Sequence, residues 1–142
     1  MNKKIILLFI GAIAISAGII AYLQYNKPHI NYEKASVDLT TTADALLQAF
    51  EHNETIANQQ YLNRVVEVSG KPISAHTNPN GSVTIALLDE LQGVSCTFDS
   101  AYVSQHLSSF AQVKEVSSLV IKGRCDGFLT DVRLSKCSFT HK

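Results

Sequence analysis

The chain has 142 residues, 46% of them hydrophobic and 17% charged, with three cysteines and no tryptophan. Once an apolar N-terminus is set aside, about 100 to 115 residues remain, enough for one hydrophobic core and too few for two. The formal net charge is zero, but beyond Lys27 nine basic side chains face twelve acidic ones, a mildly acidic balance that disfavours indiscriminate attraction to a polyphosphate.

Residues 1–27 read as an N-terminal transmembrane anchor, with a cleaved signal peptide as the alternative. After Lys3 and Lys4, an uncharged run extends from Ile5 to Leu23. Roughly 19 helical residues span about 28 Å, close to the hydrocarbon thickness of a bilayer. Tyr22 and Tyr25 occupy the place of an interfacial aromatic belt, ahead of Lys27 and the helix-ending Pro28. The small residues Ala14, Ser16 and Ala17 are followed by the apolar "GIIAYL" and not by a polar mature start, which favours retention over cleavage. No cysteine lies near the segment, so lipid attachment there is unavailable. A span at the N-terminus followed by a small domain works as a signal anchor, placing the domain outside the cytoplasm.

Residues 28–41 are polar, lack a sustained period and read as a linker. The segment "TTTADALLQAFEHNETIANQQY" then reads as one amphipathic helix, with threonine N-cap candidates and the Thr41/Asp44 spacing of a capping box. Leu46, Leu47, Phe50 and Ala57 recur near helical spacing on its apolar face. The "HNE" at positions 52–54 echoes the His-x-Glu of zinc deaminases, but no Pro-Cys-x-x-Cys partner follows.

A run of β-branched residues comes next. Val66 and Val68 share one side of a strand, whereas Ile73 has the opposite parity, so one residue must be absorbed; Gly70 is the expected bulge. Asn78-Pro79-Asn80-Gly81 has the preferences of a type I turn and predicts a hairpin tip. Val83, Ile85 and Leu87 return with period two, as do Val94, Cys96 and Phe98. "SAYVSQHLSSF" reads as a helix with Val103 and Leu107 on one face, and Leu119 to Cys125 and Val132 to Leu134 form a final hairpin around "DGFLT". The predicted fold is mainly β with α: a five-stranded Greek-key barrel over residues 42–142, preceded by the amphipathic helix.

This order, and especially "YLNRVVEVSGKPIS", "VSCTF" and "GRCDGFLTDVRLSKCSF", resembles the tRNA-anti-like OB-fold family, bacterial proteins that are often exported or membrane-anchored and carry a helix ahead of the barrel. The resemblance covers Thr42 to Phe139 and departs from the family pattern at "FAQVKEVSSLVIKG", where a tighter turn is expected. It implies the fold and brings no established activity.

OB folds bind across strands two and three, between the loops joining strands one to two and four to five. With the apolar residues inward, that face presents Thr84, Ala86, Leu88, Ser95 and Thr97, none of them aromatic or basic. Single-strand binding calls for stacking platforms and a cationic groove, so nucleic acid is disfavoured as a partner. A polar ligand or a partner protein is expected at His76, Asn78, Asn80, Thr84, Ser95, Thr97 and Phe128. Arg64, Lys71, Lys122, Arg124 and Arg133 are the cations that a patch elsewhere would use. The resemblance also implies strand three beside strand five, making Cys96 with Cys137 the candidate disulfide, against the alternative of unpaired core thiols. By parity Cys137 falls outward unless a bulge near Ser135 turns it.

The five histidines are dispersed, and no phosphate loop, His-Glu-x-x-His, Gly-x-Ser-x-Gly or Cys-x-x-Cys is present. The sequence therefore implies no catalytic residue, metal or cofactor. It points to a membrane-anchored extracytoplasmic binding module, with a nucleic-acid-binding OB domain at the cytoplasmic membrane face as the alternative.

Overall fold

A computed structural model describes residues 13, 15–22, 32 and 34–140. Most of the apolar span read at residues 5–23 lies outside the described residues, although 13 and 15–22 are helical. Among the described residues no helix is long and apolar enough to cross a membrane. The compact unit that carries the sheet begins at Asn31.

Seven strands form one sheet: β1 (Leu39–Thr42), β2 (Val65–Gly70), β3 (Pro72–Thr77), β4 (Val83–Leu87), β5 (Val94–Phe98), β6 (Leu119–Phe128) and β7 (Val132–Phe139). Their spatial order is β1-β2-β6-β7-β5-β4-β3. Only Lys71 separates β2 from β3, yet they stand near opposite ends of that order, so the sheet must curl back on itself. The result is a curled seven-stranded sheet of OB type and not the expected five-stranded barrel. Two features make the difference. The single long first strand is split where Pro72, lacking an N–H, cannot continue the ladder. In addition β1, of which Leu39–Thr41 fall in the segment read as linker, pairs parallel with β2. Asp38 fixes that pairing, because its N–H donates to the Val65 carbonyl at 2.9 Å and its carboxylate accepts from the Val65 N–H at 2.8 Å.

The bulge also falls elsewhere than expected. Val66, Val68 and Pro72 are all buried, so the parity runs unbroken through Gly70. The register shifts between Pro72 and Ser74, leaving Ile73 exposed as the absorbed residue. Gly70 matters for packing instead, since a Cβ on it would stand 2.9 Å from the Cβ of Ala43 and 3.3 Å from Leu87 Cδ1. The helix before the sheet can approach only because this position has no side chain.

That helix is two. α1 (Ala43–His52) starts at Thr42, whose side chain accepts from the Ala45 N–H at 3.2 Å. Thr41, half of the expected capping box, belongs to β1. Asn53 stops α1 and caps α2 (Glu54–Tyr61), its Oδ1 accepting from the Ile56 N–H at 3.1 Å. Asn and Thr are preferred at such positions because their side chains satisfy orphan N–H groups, with each cap contributing about 1 kcal/mol. The later helical segment is likewise broken at His106 into α3 (Ser100–Gln105) and α4 (Leu107–Ala111); Val103 is buried, but Leu107 is exposed and does not share its face.

The core fills the concave side of the sheet with Val66, Val68, Ile85, Leu87, Val94, Cys96, Phe98, Ile121, Cys125, Val132 and Leu134, closed by Leu46 and Phe50 from α1. The alternation predicted for β4 and β5 is present residue for residue.

Candidate binding face

The outward side of β3, β4, β5 and β7 is organised in two rows set by register. One runs His76, Thr84, Thr97 and the other Ser74, Ala86, Ser95, Arg133. Period-two alternation puts these residues outside because their neighbours are the core. His76 lies in β3 and is exposed.

Two hydrogen-bonded groups lie along this face, one at each hairpin loop. In the β3–β4 turn the Gly81 N–H donates to the Asn78 carbonyl at 2.9 Å, as the Asn-Pro-Asn-Gly sequence predicts, and Gly81 takes φ +80°. The amide of Asn78 donates to Ser82 Oγ at 2.9 Å and to Thr84 Oγ1 at 3.1 Å. The Ser82 hydroxyl, largely buried, donates in turn to Asn80 Oδ1 at 2.7 Å. Thr84 Oγ1 lies 3.2 Å from Thr97 Oγ1. Two threonine hydroxyls share one bond and carry two protons, so the pair keeps one donor and several lone pairs for a third group.

Beyond Thr97, on the same side of β5, the Ser95 hydroxyl donates to the Asp131 carboxylate at the β6–β7 loop. Thr130 donates to that carboxylate at 3.3 Å, and Arg133 Nε lies 3.5 Å from its Oδ1. This second group thus ends on an acid that three neighbours already engage. Beside this end, an open cleft of ≈ 640 Å³ is lined by Asp89, Leu91, Gln92 and Thr130. Asp89 Oδ1 accepts from the N–H groups of Leu91 and Gln92 at 2.8 and 3.2 Å, and these bonds hold its carboxyl below the ordinary range. Leu91 and Leu129, in the two loops at this end, are 80% and 71% exposed.

The structure therefore joins Asn78, Asn80, Thr84 and Thr97 in one bonded chain, sets His76 beside Thr84, and ties Ser95 to Asp131. Phe128 is not part of it. Its ring stacks on Phe50 with centroids 6.0 Å apart and packs against the core. Sequence reasoning missed Asp131 and assigned Arg133 to a separate patch, because a hairpin centred near Gly127 would pair Cys125 with Thr130. The observed partner of Cys125 is Leu134, since Asp126 is bulged out, Gly127 turns at φ +103° and the loop is Leu129–Asp131.

Several cations suggested for a separate patch are engaged within the fold. Arg124 Nε lies 2.8 Å from Asp126, which holds the guanidinium pKa above its usual value, and Arg133 meets Asp131. Lys122 donates to the Ala35 carbonyl at 3.0 Å. Among the described residues no group of three or more His, Cys, Asp or Glu side chains is placed to hold a metal ion.

With this geometry in place, comparison with known proteins identifies the class. The tRNA_anti-like family model matches residues 1–139, and the chain belongs to that family. A search of the curated proteins finds no match. Among solved structures, the chain is similar to a Klebsiella pneumoniae subsp. pneumoniae MGH 78578 protein described as a "putative nucleic acid-binding lipoprotein", with TM-score 0.52 and 20% identity over 72% of this chain and 92% of that one. A Leishmania major Friedlin protein described as a "putative aspartyl-tRNA synthetase" matches with TM-score 0.41 and 8% identity over 86% of this chain and 25% of that one. The likeness to the Klebsiella protein concerns the fold.

Proposed function

We propose that this chain is a non-catalytic OB-type binding module, anchored in a membrane by residues 1–27 with its domain outside the cytoplasm, and that it holds an uncharged polar ligand or a segment of a partner protein on the β4–β5 face. The observation that carries the reading is the two hydrogen-bonded groups, Asn80 to Thr97 and Ser95 with Asp131, which occupy the usual OB ligand path with hydroxyls and amides. Exposed Leu91 and Leu129 at the Asp131 end supply the apolar anchors that a protein partner uses. The family match extends over the N-terminal apolar segment, and the description of the Klebsiella protein as a lipoprotein agrees with a membrane location.

The second reading, a nucleic-acid-binding domain on the cytoplasmic side, draws on that same description and on the name of the family. Against it stand two rows without a Phe, Tyr or Trp ring and an arginine already facing Asp131. A reporter active only after export, fused after Lys142, separates the two. Activity is the outcome of the first reading, and a silent reporter with a cytoplasmic domain is that of the second. A pull-down with the full chain in mild detergent then tests the face: partners retained by the parent and lost by Thr84→Val/Thr97→Val belong to it, and an unchanged set places binding elsewhere.

A further inference from the structure

Cys96 and Cys137 stand far apart in sequence and meet inside the sheet. Cys96 points inward from β5, which pairs in parallel with β7 from Val94↔Val132 to Cys96↔Leu134. Plain alternation would send Cys137 outward. Instead β7 carries one extra residue between the partners of Lys122 and Arg124, and Lys136 adopts φ +52°. This bulge turns Cys137 inward, where it is 3% exposed. There it neighbours Cys96. Gly123 leaves room for it, since a Cβ on Gly123 would come within 2.6 Å of the Cys137 sulfur. Cys125 is also buried, and burial, not another cysteine, raises its thiol pKa.

We propose that Cys96 and Cys137 form a disulfide that ties β5 to β7, with Cys125 left as a thiol. All three cysteines are free thiols in this structure, so the proposal concerns oxidation of an assembled pair. The oxidant is a small disulfide of the glutathione class or a disulfide-donating enzyme. One cysteine thiolate attacks the donor disulfide, expelling one thiolate and leaving a mixed disulfide. The second cysteine thiolate attacks the protein sulfur of that bond and expels the other donor thiolate. Two protein thiols are oxidised, one donor disulfide is reduced, and the two thiol protons end on the two donor thiols. Both sulfurs are buried, and burial together with the Cys96 contact holds the Cys137 thiol well above its usual pKa. The thiolate is scarce once the sheet has closed, so the exchange occurs while the chain folds or opens.

The pairing of the two cysteines is a property of the fold and can be tested in vitro whichever side of the membrane the domain occupies, although the bridge itself persists only in an oxidising compartment. The full chain is unfolded and reduced, then refolded in mixed reduced and oxidised glutathione, with free thiols blocked afterwards under denaturing conditions. Cleavage after lysine and arginine separates the cysteines, because Arg124, Arg133 and Lys136 lie between them. The expected products are a linked pair of peptides carrying Cys96 and Cys137 and a blocked Cys125 peptide. Three blocked thiols, or a bridge that includes Cys125, would overturn the assignment. Cys125→Ala guards against shuffling and must still give the Cys96–Cys137 link, whereas Cys137→Ala must give blocked thiols only. Native protein incubated in the same buffer is expected to oxidise many-fold more slowly than refolding protein. Equal rates would show that the pair is not enclosed as described.

Discussion

The hydroxyl oxygens of Thr84 and Thr97 lie 3.2 Å apart at directly paired positions of β4 and β5, and Asn78 reaches the first of them from the hairpin turn. This contact joins the turn to the middle of the sheet. Replacing both hydroxyls by methyl groups removes their mutual hydrogen bond with both of its partners, while the Asn78 amide loses Thr84 and keeps Ser82, so the cost to stability is small. Thr84→Val/Thr97→Val is therefore expected to unfold within about 1 kcal/mol of the parent in urea while losing the bound partner. A double variant that keeps its partner would place the interaction on another surface.

Gly70 and Ala43 define how closely α1 lies on the sheet. Gly70→Ala sets two methyl carbons 2.9 Å apart, and overpacking of that kind costs about 1 to 3 kcal/mol. The denaturation midpoint should fall accordingly, and Ala43→Gly in the same chain should restore part of the loss. An unchanged midpoint for Gly70→Ala would mean that the helix does not pack there.

The proposed anchor makes a prediction independent of the domain. Burial of about 19 apolar residues does not depend on ionic strength, so the full chain should remain with membranes through a high-salt wash and keep its N-terminus. Release by salt, or a mature chain beginning near Ala17, would show a different mode of attachment or a cleaved leader.

If β5 and β7 are cross-linked as proposed, oxidised protein should be more stable than the same protein in reductant by about 2 to 4 kcal/mol, because the closed loop restricts the unfolded chain. Parallel denaturant curves with and without reductant measure this. In Cys137→Ala the two curves should coincide.

The strands were legible in the sequence where alternation was clean. Val83 to Leu87 and Val94 to Phe98 could be assigned a face residue by residue, and with them Thr84, Ser95 and Thr97 on the opposite side. The Asn78–Gly81 turn was equally plain, because proline and glycine occupy positions with a backbone reason. Bulges were less legible. The parity break after Val68 was real but absorbed at Ile73 and not at Gly70, since parity counts residues without saying which one leaves the ladder. The same ambiguity hid Asp131, because a hairpin can close tightly at Gly127 or, with one bulged residue, at Thr130. β1 left almost no signal, having four residues, three of them threonine, and depending on a parallel partner that begins more than twenty residues later.

The most direct test of the central claim, a neutral polar binding face on an anchored OB module, is a titration of the protein with single-stranded DNA and RNA at about 50 and 200 mM salt. A face of hydroxyls and amides, with Arg124 and Arg133 already facing Asp126 and Asp131, neutralises few phosphates. The prediction is dissociation constants above roughly 100 μM with little difference between the two salt concentrations. Micromolar affinity that collapses at the higher salt would contradict it and assign the face, or the cations beside it, to nucleic acid.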